Sequence, residues 1–525
     1  MAIGKSSFLF AIGTFLSRLT GVLRESVLAG VFGANSMLDA FIIANRIPNL
    51  LRELLAEGAL GSSFTQVYAK LKERDSHRAE LFLSQSFRFF SLVTGIICFL
   101  GIIFAPQLVK LMTLFSTESD RHPEFIHDTV GLTRLLFPFI AFMTLGAIAS
   151  GVLHQKGKFF TSAISSVALN VGYILGALIF AGLLEDYGPS WIETSFANKS
   201  LCGLCLGVLL GGVLQTLIQY WGMRERFHHE RKLFQVPWSQ DLKKVCKLMG
   251  PMIIAGSAGQ INVLVNTNFA TSLQAGAVTW LNFSFRILQL PIGIFAVGVG
   301  VISLPALTKV MANQGGPTKV AEKLQEALSL VSWLVVPCLC FLLFNSLPAT
   351  QLLYEHGKFT NVDSSSTADA LFFYSFSLIA YGLLKVLTSY YYAAERTNYA
   401  MKVSLFSIIV NVLANSFFIH SLGHKGLALS TSCTLSLNAI FLIWGLKKDR
   451  LKWNMKKAAQ TFFLITAAFI LALILQYGTN SFLMGLNWLG DFSLKIRSLV
   501  YLSCNGLLVL LIFSSAWMID RIRAK

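Results

Sequence analysis

Residues 45–64 read NRIPNLLRELLAEGALGSSF, with two arginines, two glutamates and a proline inside a run that continues apolar on both sides. A charge at the centre of a bilayer costs at least about 2.5–3.5 kcal/mol, and an arginine side chain stays protonated there. Such residues persist in apolar segments where they face a water-filled cavity, an acidic partner or an anionic ligand. The stretch therefore indicates a membrane protein with a polar interior.

The composition of the whole chain agrees with that interpretation. Of the 525 residues, 54% are hydrophobic and only 13% are charged, and the mean hydropathy is +0.63. These values lie outside the usual range of soluble proteins and predict that almost the whole chain lies in or beside a bilayer. The net charge of +17 is typical of a polytopic protein with basic cytoplasmic loops, so we predict no nucleic-acid partner.

Neither the cysteines nor the first segment changes this assignment. All eight cysteines lie in apolar runs, where small buried thiols are usual. The CGLC at residues 202–205 has zinc-like spacing but lacks a second pair, so we predict no metal site and no cofactor. Arg18 and Arg24 interrupt the N-terminal apolar run, and no small-residue cleavage site follows it. We therefore predict a retained first helix.

Fourteen segments are long and apolar enough to cross a membrane as helices, for which about 20 residues are needed. The sequence thus predicts an all-α polytopic membrane protein with about 14 transmembrane helices. The approximate limits of these segments are 6–32, 37–68, 87–112, 130–153, 160–184, 200–223, 246–273, 277–311, 327–349, 368–394, 400–420, 425–446, 458–477 and 497–519.

The lysines and arginines outside these segments indicate the orientation. With the N-terminus in the cytoplasm, the cytoplasmic segments carry 29 basic residues and the opposite loops carry 7. Basic residues accumulate on the cytoplasmic side of membrane proteins. The asymmetry therefore predicts an even number of spans, with the N- and C-termini both cytoplasmic.

The chain also repeats itself. A shift of 243 residues pairs FGANSMLDAF…RIPNLL with LQAGAVTWLNFSF…LQLPIG, which lays Gly33 on Gly276 and Pro48 on Pro291. A shift of about 240 residues pairs HQKGKFFTSAISSVALNV with AERTNYAMKVSLFSIIVNV. Six spans followed by six in the same orientation predict two parallel six-helix lobes around a central cavity. We expect an N-terminal lobe, a cytoplasmic linker, a C-terminal lobe and an appended pair, helices 13 and 14, at residues 1–223, 224–245, 246–447 and 448–525.

The charges inside the predicted spans are mostly positive. The basic ones are Arg18, Arg24, Arg46, Arg52, Arg134, Arg286 and Lys385. Arg134 opens its span and is expected to reach the interface. The acidic ones are Glu25, Asp39, Glu53 and Glu57. The positive excess predicts a cavity for an anionic group, and guanidinium groups suit phosphate oxygens, which they bind bidentately.

The second span combines a polar face with a proline. Four of its charged residues are spaced by seven, seven and four positions, namely Asp39, Arg46, Glu53 and Glu57. This spacing places them on one face of a helix. Because Pro48 lacks a backbone N–H, we predict that the helix bends or breaks there and lines a cavity. Pro291, its counterpart in the repeat, is expected to act as a second hinge.

Internal ion pairing is the alternative explanation of these charges. Arg52 could pair with Glu57, or Arg24 with Asp39, and such pairs would hold helices together without binding a ligand.

The sequence shows no GxSxG motif, no phosphate-binding loop and no metal-binding His cluster. We therefore predict a protein that is not an enzyme.

Three motifs resemble the MurJ (MviN) family of lipid II flippases, in the multidrug/oligosaccharidyl-lipid/polysaccharide exporter superfamily. They are RLTGVLRESVLAGVFGANSMLDAF, IPNLLRELLAEGALGSSF and EHGKFT. The resemblance implies a bacterial inner-membrane protein of peptidoglycan synthesis. It also implies a substrate, the undecaprenyl-pyrophosphate-linked precursor lipid II, moved from the inner to the outer leaflet. The implied partners are membrane lipids and cell-wall synthesis or division proteins.

The resemblance extends to single positions. The cavity arginines of the family match Arg18, Arg24, Arg52 and Arg286, and its acidic positions match Asp39 and Glu57. Helices 13 and 14 match a pair that forms a groove for the lipid tail. The departures are Glu53, where a second arginine is common, Phe285, where an acidic residue often stands, and Glu25, which replaces a usual aspartate.

The resulting hypothesis is an alternating-access flippase. Arg24, Arg52 and Arg286, assisted by Arg18, would hold the pyrophosphate, and the lobes would rock about Pro48 and Pro291. Supporting charges would come from Asp39, Glu57, Glu25, Glu53, Arg46 and Lys385. The alternatives are an exporter of another lipid-linked oligosaccharide, a MATE-like drug antiporter, which would favour an acidic cavity, and a scaffold that does not transport.

Overall fold

The computed structural model describes residues 2–116, 123–187, 198–223, 238–313, 316–486 and 492–523, and every regular element within these ranges is helical. The side chains of residues 2–11, 14, 56, 57, 123, 254, 255 and 523 are outside the description. The predicted all-α fold class is confirmed. The helices form two compact units, Met1–Thr279 and Trp280–Lys525. The predicted boundaries of the lobes and the linker stay a prediction.

The first unit is built from eleven described α-helices and two π-helical segments, and it also contains the start of a twelfth α-helix. In chain order they are α1 (Ala2–Phe32), α2 (Ser36–Leu51), π1 (Arg52–Leu60), α3 (Gly61–Arg74), α4 (Ser76–Ile103), α5 (Ala105–Met112), α6 (Pro123–Leu136), α7 (Phe139–Gln155), α8 (Phe159–Leu175), π2 (Gly176–Phe180), α9 (Ala181–Tyr187), α10 (Lys199–Met223), α11 (Gln240–Ala270) and α12 (Ala277–Pro291).

The second unit begins within α12 and contains the C-terminal helices. They are π3 (Ile292–Ala296), α13 (Val297–Ala312), α14 (Gly316–Tyr354), α15 (Asn361–Ser375), α16 (Ser377–Ala393), α17 (Thr397–Leu422), α18 (His424–Gly445), a short 3-10 helix (Leu446–Asp449), α19 (Met455–Met484) and α20 (Leu494–Arg523). α14 is kinked at Asn345, whose φ of −117° and ψ of 16° are not helical.

The described helices account for the predicted spans. Ten helical segments are long and apolar enough to cross a membrane, and two bent pairs bring the number to twelve when each pair is one span. The predicted spans outside this group are 6–32 and 37–68, which coincide with α1 and with the run from α2 to α3. The chain is thus a multi-pass membrane protein, whereas the count of fourteen stays a prediction.

Local backbone geometry recurs at the positions that the internal repeat pairs. Gly33, before α2, has a φ of 72°, and Gly276, before α12, has a φ of 91°. Both values lie in the left-handed region that favours glycine. Pro48 lies near the end of α2 and Pro291 at the end of α12, and in each case a π-helical segment follows directly. The repeat therefore includes the same interruption of a membrane helix twice.

Glycines bring two helices of the first unit into backbone contact. A Cβ placed on Gly207 of α10 would lie 2.3 Å from the Cα of Gly176 and 2.5 Å from the carbonyl oxygen of Gly172. No side chain fits at such distances. Close approach through small residues is a common way for membrane helices to associate, because lipid chains are as apolar as leucine and favour no apolar contact between helices. This packing fixes α8, which carries two residues of the candidate site.

Candidate functional site

Arg24 on α1 is a largely buried cation of the candidate site. Its Nη2 lies 2.5 Å from Oε1 of Glu25, its Nη1 donates to Oδ1 of Asn170 at 3.1 Å, and its guanidinium carbon stands 4.6 Å from the ring centre of Tyr173. The Arg24 and Glu25 side chains are only 12% and 6% exposed. The guanidinium is thus fixed by a carboxylate, an amide and an aromatic face.

The groups that hold Arg24 are themselves anchored by hydrogen bonds between helices. Nδ2 of Asn170 donates to the carbonyl of Ser17 at 3.0 Å and to Oγ1 of Thr20 at 2.9 Å. Nδ2 of Asn45 donates to the hydroxyl of Tyr173 at 2.9 Å. Helices α1, α2 and α8 therefore share one polar network inside an apolar unit. Because the apolar surroundings offer few other hydrogen-bonding partners, this network fixes the geometry of the polar side chains in it.

Arg52 stands at the start of π1 and is held from its own helical run. Its Nε donates to Oδ1 of Asn49 at 3.0 Å, and its Nη2 lies 3.5 Å from Oε1 of Glu53. The Glu53 side chain is 44% exposed and also accepts a hydrogen bond from Nε2 of Gln260 at 2.5 Å. An ion pair at that distance and exposure contributes little. Glu53 is therefore a partial counterion of Arg52 that is shared with α11.

The predicted interruption at Pro48 occurs one turn further along the chain. α2 continues through Pro48 to Leu51, and the backbone then changes to the π-helix π1 over Arg52–Leu60. π-helical segments inside membrane helices frequently mark functional sites. Glu57 lies within π1, but its side chain is outside the described residues. The interruption thus falls on the stretch that carries Arg52 and Glu53.

Gly58 is required by the geometry of π1. A Cβ at this position would lie 2.9 Å from the backbone carbonyl oxygen of Glu53, and a backbone atom cannot yield as a flexible side chain can. We expect Gly58→Ala to shift π1 and to lower the activity of the chain, at an overpacking cost of about 1–3 kcal/mol. Gly298→Ala in α13 is the matched control, because its Cβ would meet nothing within 4 Å. Equal melting temperatures and activities for the two variants would contradict this.

Asp39 is buried, with 2% of its surface exposed, and its carboxylate caps the first turn of α12. Its Oδ2 accepts from the backbone N–H of Gly276 at 2.8 Å, and its Oδ1 accepts from the N–H and the Oγ1 of Thr279 at 2.8 Å and 2.7 Å. A carboxylate at a helix N-terminus satisfies otherwise unpaired donors and interacts favourably with the helix dipole. Asp39 therefore stabilises the start of α12.

The second unit carries Arg286 and Lys385. Arg286 on α12 is half-buried, and its Nη1 donates to Oε1 of Gln289 at 3.1 Å. Lys385 on α16 is exposed, and its backbone carbonyl accepts from Oγ of Ser389 at 2.9 Å. Phe285 packs against aromatic rings of α15 and α16, which gives this departure from the family pattern an apolar environment.

The two remaining predicted cations lie on the helices of the Arg24 network. Arg18 on α1 and Arg46 on α2 are both half-buried. Among the described residues, no group of three or more His, Cys, Asp or Glu side chains could hold a metal ion. The arginines of the site offer recognition of an anion by guanidinium groups.

Sequence reasoning from charges alone missed the neutral amides of the site. These are the partners that orient the predicted arginines, namely Asn170, Asn49 and Gln289. One signal was present, because Asn170 belongs to the repeated segment ending in ALNV, whose second copy ends in IVNV. A polar residue retained in both copies of an apolar segment points to a hydrogen-bonding role.

Comparison with known proteins gives concordant results from sequence and structure. A family model described as lipid II flippase MurJ matches residues 28–518. The lipid II flippase MurJ of Burkholderia cenocepacia is 31% identical, with 96% of this chain and 95% of that protein covered. The probable lipid II flippase MurJ of Buchnera aphidicola subsp. Schizaphis graminum is 30% identical, with 97% and 96% covered.

Solved structures agree on the fold. A lipid II flippase MurJ in an inward closed conformation superposes with a TM-score of 0.78 at 26% identity, covering 98% of this chain and all of that one. An inward-facing multidrug transporter of the MATE family reaches a TM-score of 0.66 at 15% identity, covering 82% of this chain and 94% of that one, and shares the fold alone. The sequence and structural matches together show that the chain belongs to the lipid II flippase MurJ family.

Proposed function

We propose that this chain is a lipid II flippase, which moves the peptidoglycan precursor from the inner to the outer leaflet of the bacterial inner membrane without covalent chemistry. Membership of the family and the ten or more apolar helices support this proposal. The excess of basic residues in alternate loops supports an orientation with both termini in the cytoplasm.

The observation that carries the assignment of a site is how the arginines are oriented. A neutral amide oxygen accepts a hydrogen bond from each of three guanidinium groups: Asn170 for Arg24, Asn49 for Arg52 and Gln289 for Arg286. These amides orient the guanidinium groups, and at Arg24 and Arg52 a carboxylate, of Glu25 and of Glu53, also contacts the guanidinium. Oriented guanidinium groups of this kind suit an anionic group such as a phosphate.

We assign the pyrophosphate of lipid II to Arg24, Arg52 and Arg286, with Arg18 assisting. Planar guanidinium forks match phosphate oxygens in geometry and remain charged in an apolar medium, which lysine does less reliably. The chemistry of the substrate requires such groups, because its two phosphates must leave water when the headgroup crosses the membrane. The carboxylates beside them, Glu25 and Glu53, would limit repulsion between the arginines when no substrate is bound.

The π-helical segments provide local hinges for the transport cycle. π1 follows Pro48 and begins at Arg52, and π3 follows Pro291 and begins six positions after Arg286, so each unit has a membrane helix whose regular hydrogen bonding is interrupted within two turns of a candidate arginine. Such segments are frequent at functional sites and at kinks in helices. The membrane potential is a source of energy for the cycle, at about 2.3 kcal/mol per charge moved through 100 mV.

Charge removal in cells that depend on this chain tests the proposal. We expect depletion to accumulate lipid II in the inner leaflet, and Arg52→Gln or Arg286→Gln to reduce flipping by roughly 10- to 100-fold, since a charge-assisted hydrogen bond contributes about 1.5–3 kcal/mol. Arg134→Gln is the matched control, because Arg134 is exposed on α6. The assignment fails if both site variants flip lipid II as well as the control does.

A further inference from the structure

Side-chain amides join the C-terminal helix pair, α19 and α20, to the kink of α14. Nδ2 of Asn505 on α20 donates to Oδ1 of Asn345 at 3.0 Å, and Nδ2 of Asn345 donates to Oε1 of Gln476 on α19 at 3.2 Å. All three residues are completely buried. Because a buried amide that loses its partner is costly in apolar surroundings, these bonds favour one arrangement of the three helices.

The kink is an interruption of α14 that these bonds hold in shape. The backbone of Asn345 is not helical, and its side-chain Nδ2 also donates to the carbonyl of Phe341 at 2.8 Å. Pro348 follows three positions later and cannot donate to a carbonyl of the preceding turn. Prolines and inserted side chains are usual causes of sharp helix kinks. The amides of Asn505 and Gln476 therefore fix the angle at which α14 continues.

The part of α14 after the kink, residues 346–354, ends against α12. Tyr354 is completely buried, and its hydroxyl donates to the backbone carbonyl of Phe283 at 3.2 Å. The centres of their rings lie 4.9 Å apart, and the ring centre of Phe359 lies 5.9 Å from that of Phe283. Phe283 precedes Arg286 by three positions, which is about one helical turn. α14 thus contacts α12 within one turn of a candidate arginine.

The EHGKFT motif, residues 355–360, continues directly from this part of α14 and holds the first turn of α12. The backbone N–H and the Oγ1 of Thr360 donate to Oδ2 of Asp363 at 2.9 Å and 2.8 Å. Oδ1 of the same carboxylate accepts from Nε1 of Trp280 at 3.0 Å. α12 is therefore held at two points before Arg286, which limits the positions that its guanidinium can adopt.

We propose that the C-terminal pair positions Arg286 through this chain of contacts, with Asn345 and Tyr354 as positioning residues. The amides set the kink of α14, the kink sets where Tyr354 meets α12, and that contact sets where Arg286 lies. Gln289, which orients the guanidinium of Arg286, lies on the next turn of the same helix and moves with it. Coupling between distant sites is carried by such contiguous hydrogen bonds and packed side chains. The inference rests on the proposed role of Arg286 in binding the pyrophosphate.

The alternative is that these contacts only stabilise the second unit, as buried polar contacts do in many membrane proteins. Stabilisation alone predicts that the loss of one contact lowers the melting temperature as much as the loss of any similar buried contact. Positioning predicts, in addition, a local loosening of α12 and a defect in flipping that requires Arg286. The two explanations therefore differ in readouts other than stability.

Tyr354→Phe tests the contact with α12, because it removes the hydroxyl and keeps the ring. Tyr391→Phe is the matched control, since Tyr391 is also completely buried in the second unit and its hydroxyl donates to the carbonyl of Leu442 at 2.7 Å. Hydrogen–deuterium exchange of the purified chain in nanodiscs, without lipid II, measures the protection of the backbone. We expect exchange in residues 280–291 to rise by roughly two- to tenfold in Tyr354→Phe, as for the loss of one hydrogen bond, and to stay native in the control.

Asn505→Leu tests the part of the proposal that concerns the C-terminal pair. Thr461→Val is the matched control, because Thr461 on α19 is buried and donates to Oδ1 of Asp520 on α20 at 3.2 Å without touching the kink. We expect Asn505→Leu to raise exchange in residues 346–354 and in residues 280–291, and Thr461→Val to raise neither. Faster exchange that stops at residues 346–354 would show that the pair shapes α14 without positioning Arg286, and would overturn the proposal.

A double-mutant cycle on flipping separates the positioning of Arg286 from general damage. Tyr354→Phe should reduce flipping by roughly two- to tenfold in the native chain, and by less than about twofold when Arg286→Gln is already present. Equal reductions in the two backgrounds, or native exchange of residues 280–291 in Tyr354→Phe, would overturn the proposal. If Arg286→Gln flips lipid II as the native chain does, the proposed function of Arg286 fails, whereas the exchange measurements still decide whether the C-terminal pair positions this residue.

Discussion

Exchanging Arg24 for glutamine is expected to abolish lipid II flipping and to destabilise the first unit. The Arg24 guanidinium and the Glu25 carboxylate are both almost completely buried and lie 2.5 Å apart. Removing one member of a buried ion pair leaves the other charge uncompensated, at a cost of about 3–5 kcal/mol. Growth of cells depleted of the native chain, together with the melting temperature of the purified variant, measures both effects.

The double variant Arg24→Gln/Glu25→Gln separates the two explanations of that loss. With both side chains neutral, no buried charge is left uncompensated, so most of the lost stability should return. If Arg24 binds the pyrophosphate, flipping stays lost although the fold recovers. If Arg24 serves only as the partner of Glu25, the double variant flips lipid II, and the assignment of Arg24 to the substrate is then wrong.

Arg24→Lys asks whether charge alone is sufficient. Lysine keeps the positive charge but lacks the planar fork, so it cannot contact Glu25, Asn170 and the face of Tyr173 together. We expect roughly a tenfold loss of flipping with little loss of stability. Full activity of the lysine variant would show that the site recognises charge and not the geometry of a guanidinium group.

Much of the fold follows from the sequence because membrane helices are set by local rules. Every predicted span overlaps a described helix or a run of consecutive described helices, since an apolar segment of sufficient length must satisfy its own backbone in lipid. The change to π-helical geometry at Arg52 and Ile292 was not predicted. Proline predicts a missing hydrogen bond, but how the following turn rearranges depends on packing and on Gly58.

Of the candidate site, the sequence predicted only the charged residues. Arg24, Arg52 and Glu53 stand out in an apolar sequence because ionised groups are costly there. Their neutral partners do not stand out, because an asparagine such as Asn170 is tolerated in many membrane helices and its partners come from distant segments. The ion pair of Arg24 with its sequence neighbour Glu25 was not predicted either, because the sequence argument considered Asp39 as the partner of Arg24.

Asp39 shows how a charge that suggests a cavity can be used otherwise. The sequence placed it on the polar face of the second span, beside the arginines. In the structure, both of its oxygens accept hydrogen bonds from Gly276 and Thr279, which are more than 200 positions away in the chain. A spacing argument on one helix cannot anticipate such a cap, because the donors belong to the end of a different helix.

Asp39→Ala is therefore expected to destabilise the chain by roughly 2–6 kcal/mol, because the buried N–H groups of Gly276 and Thr279 lose their acceptor at about 1–3 kcal/mol each. The melting temperature of the purified protein should fall by roughly 2–6 °C. Asp369→Ala is the matched control, since Asp369 is 47% exposed and pairs with Lys425 at 2.6 Å; it should cost at most about 1 kcal/mol.

The isosteric variant Asp39→Asn decides between a cap and a transport role for this carboxylate. An asparagine amide would direct its own N–H groups at the N–H of Gly276 or of Thr279, so only one of the two backbone donors could still be satisfied. As a cap, Asp39→Asn loses stability and flipping in parallel, at an intermediate level between the native chain and Asp39→Ala. A variant with the native melting temperature and no flipping would instead assign the Asp39 charge to the transport cycle, because only the loss of charge could then explain the defect.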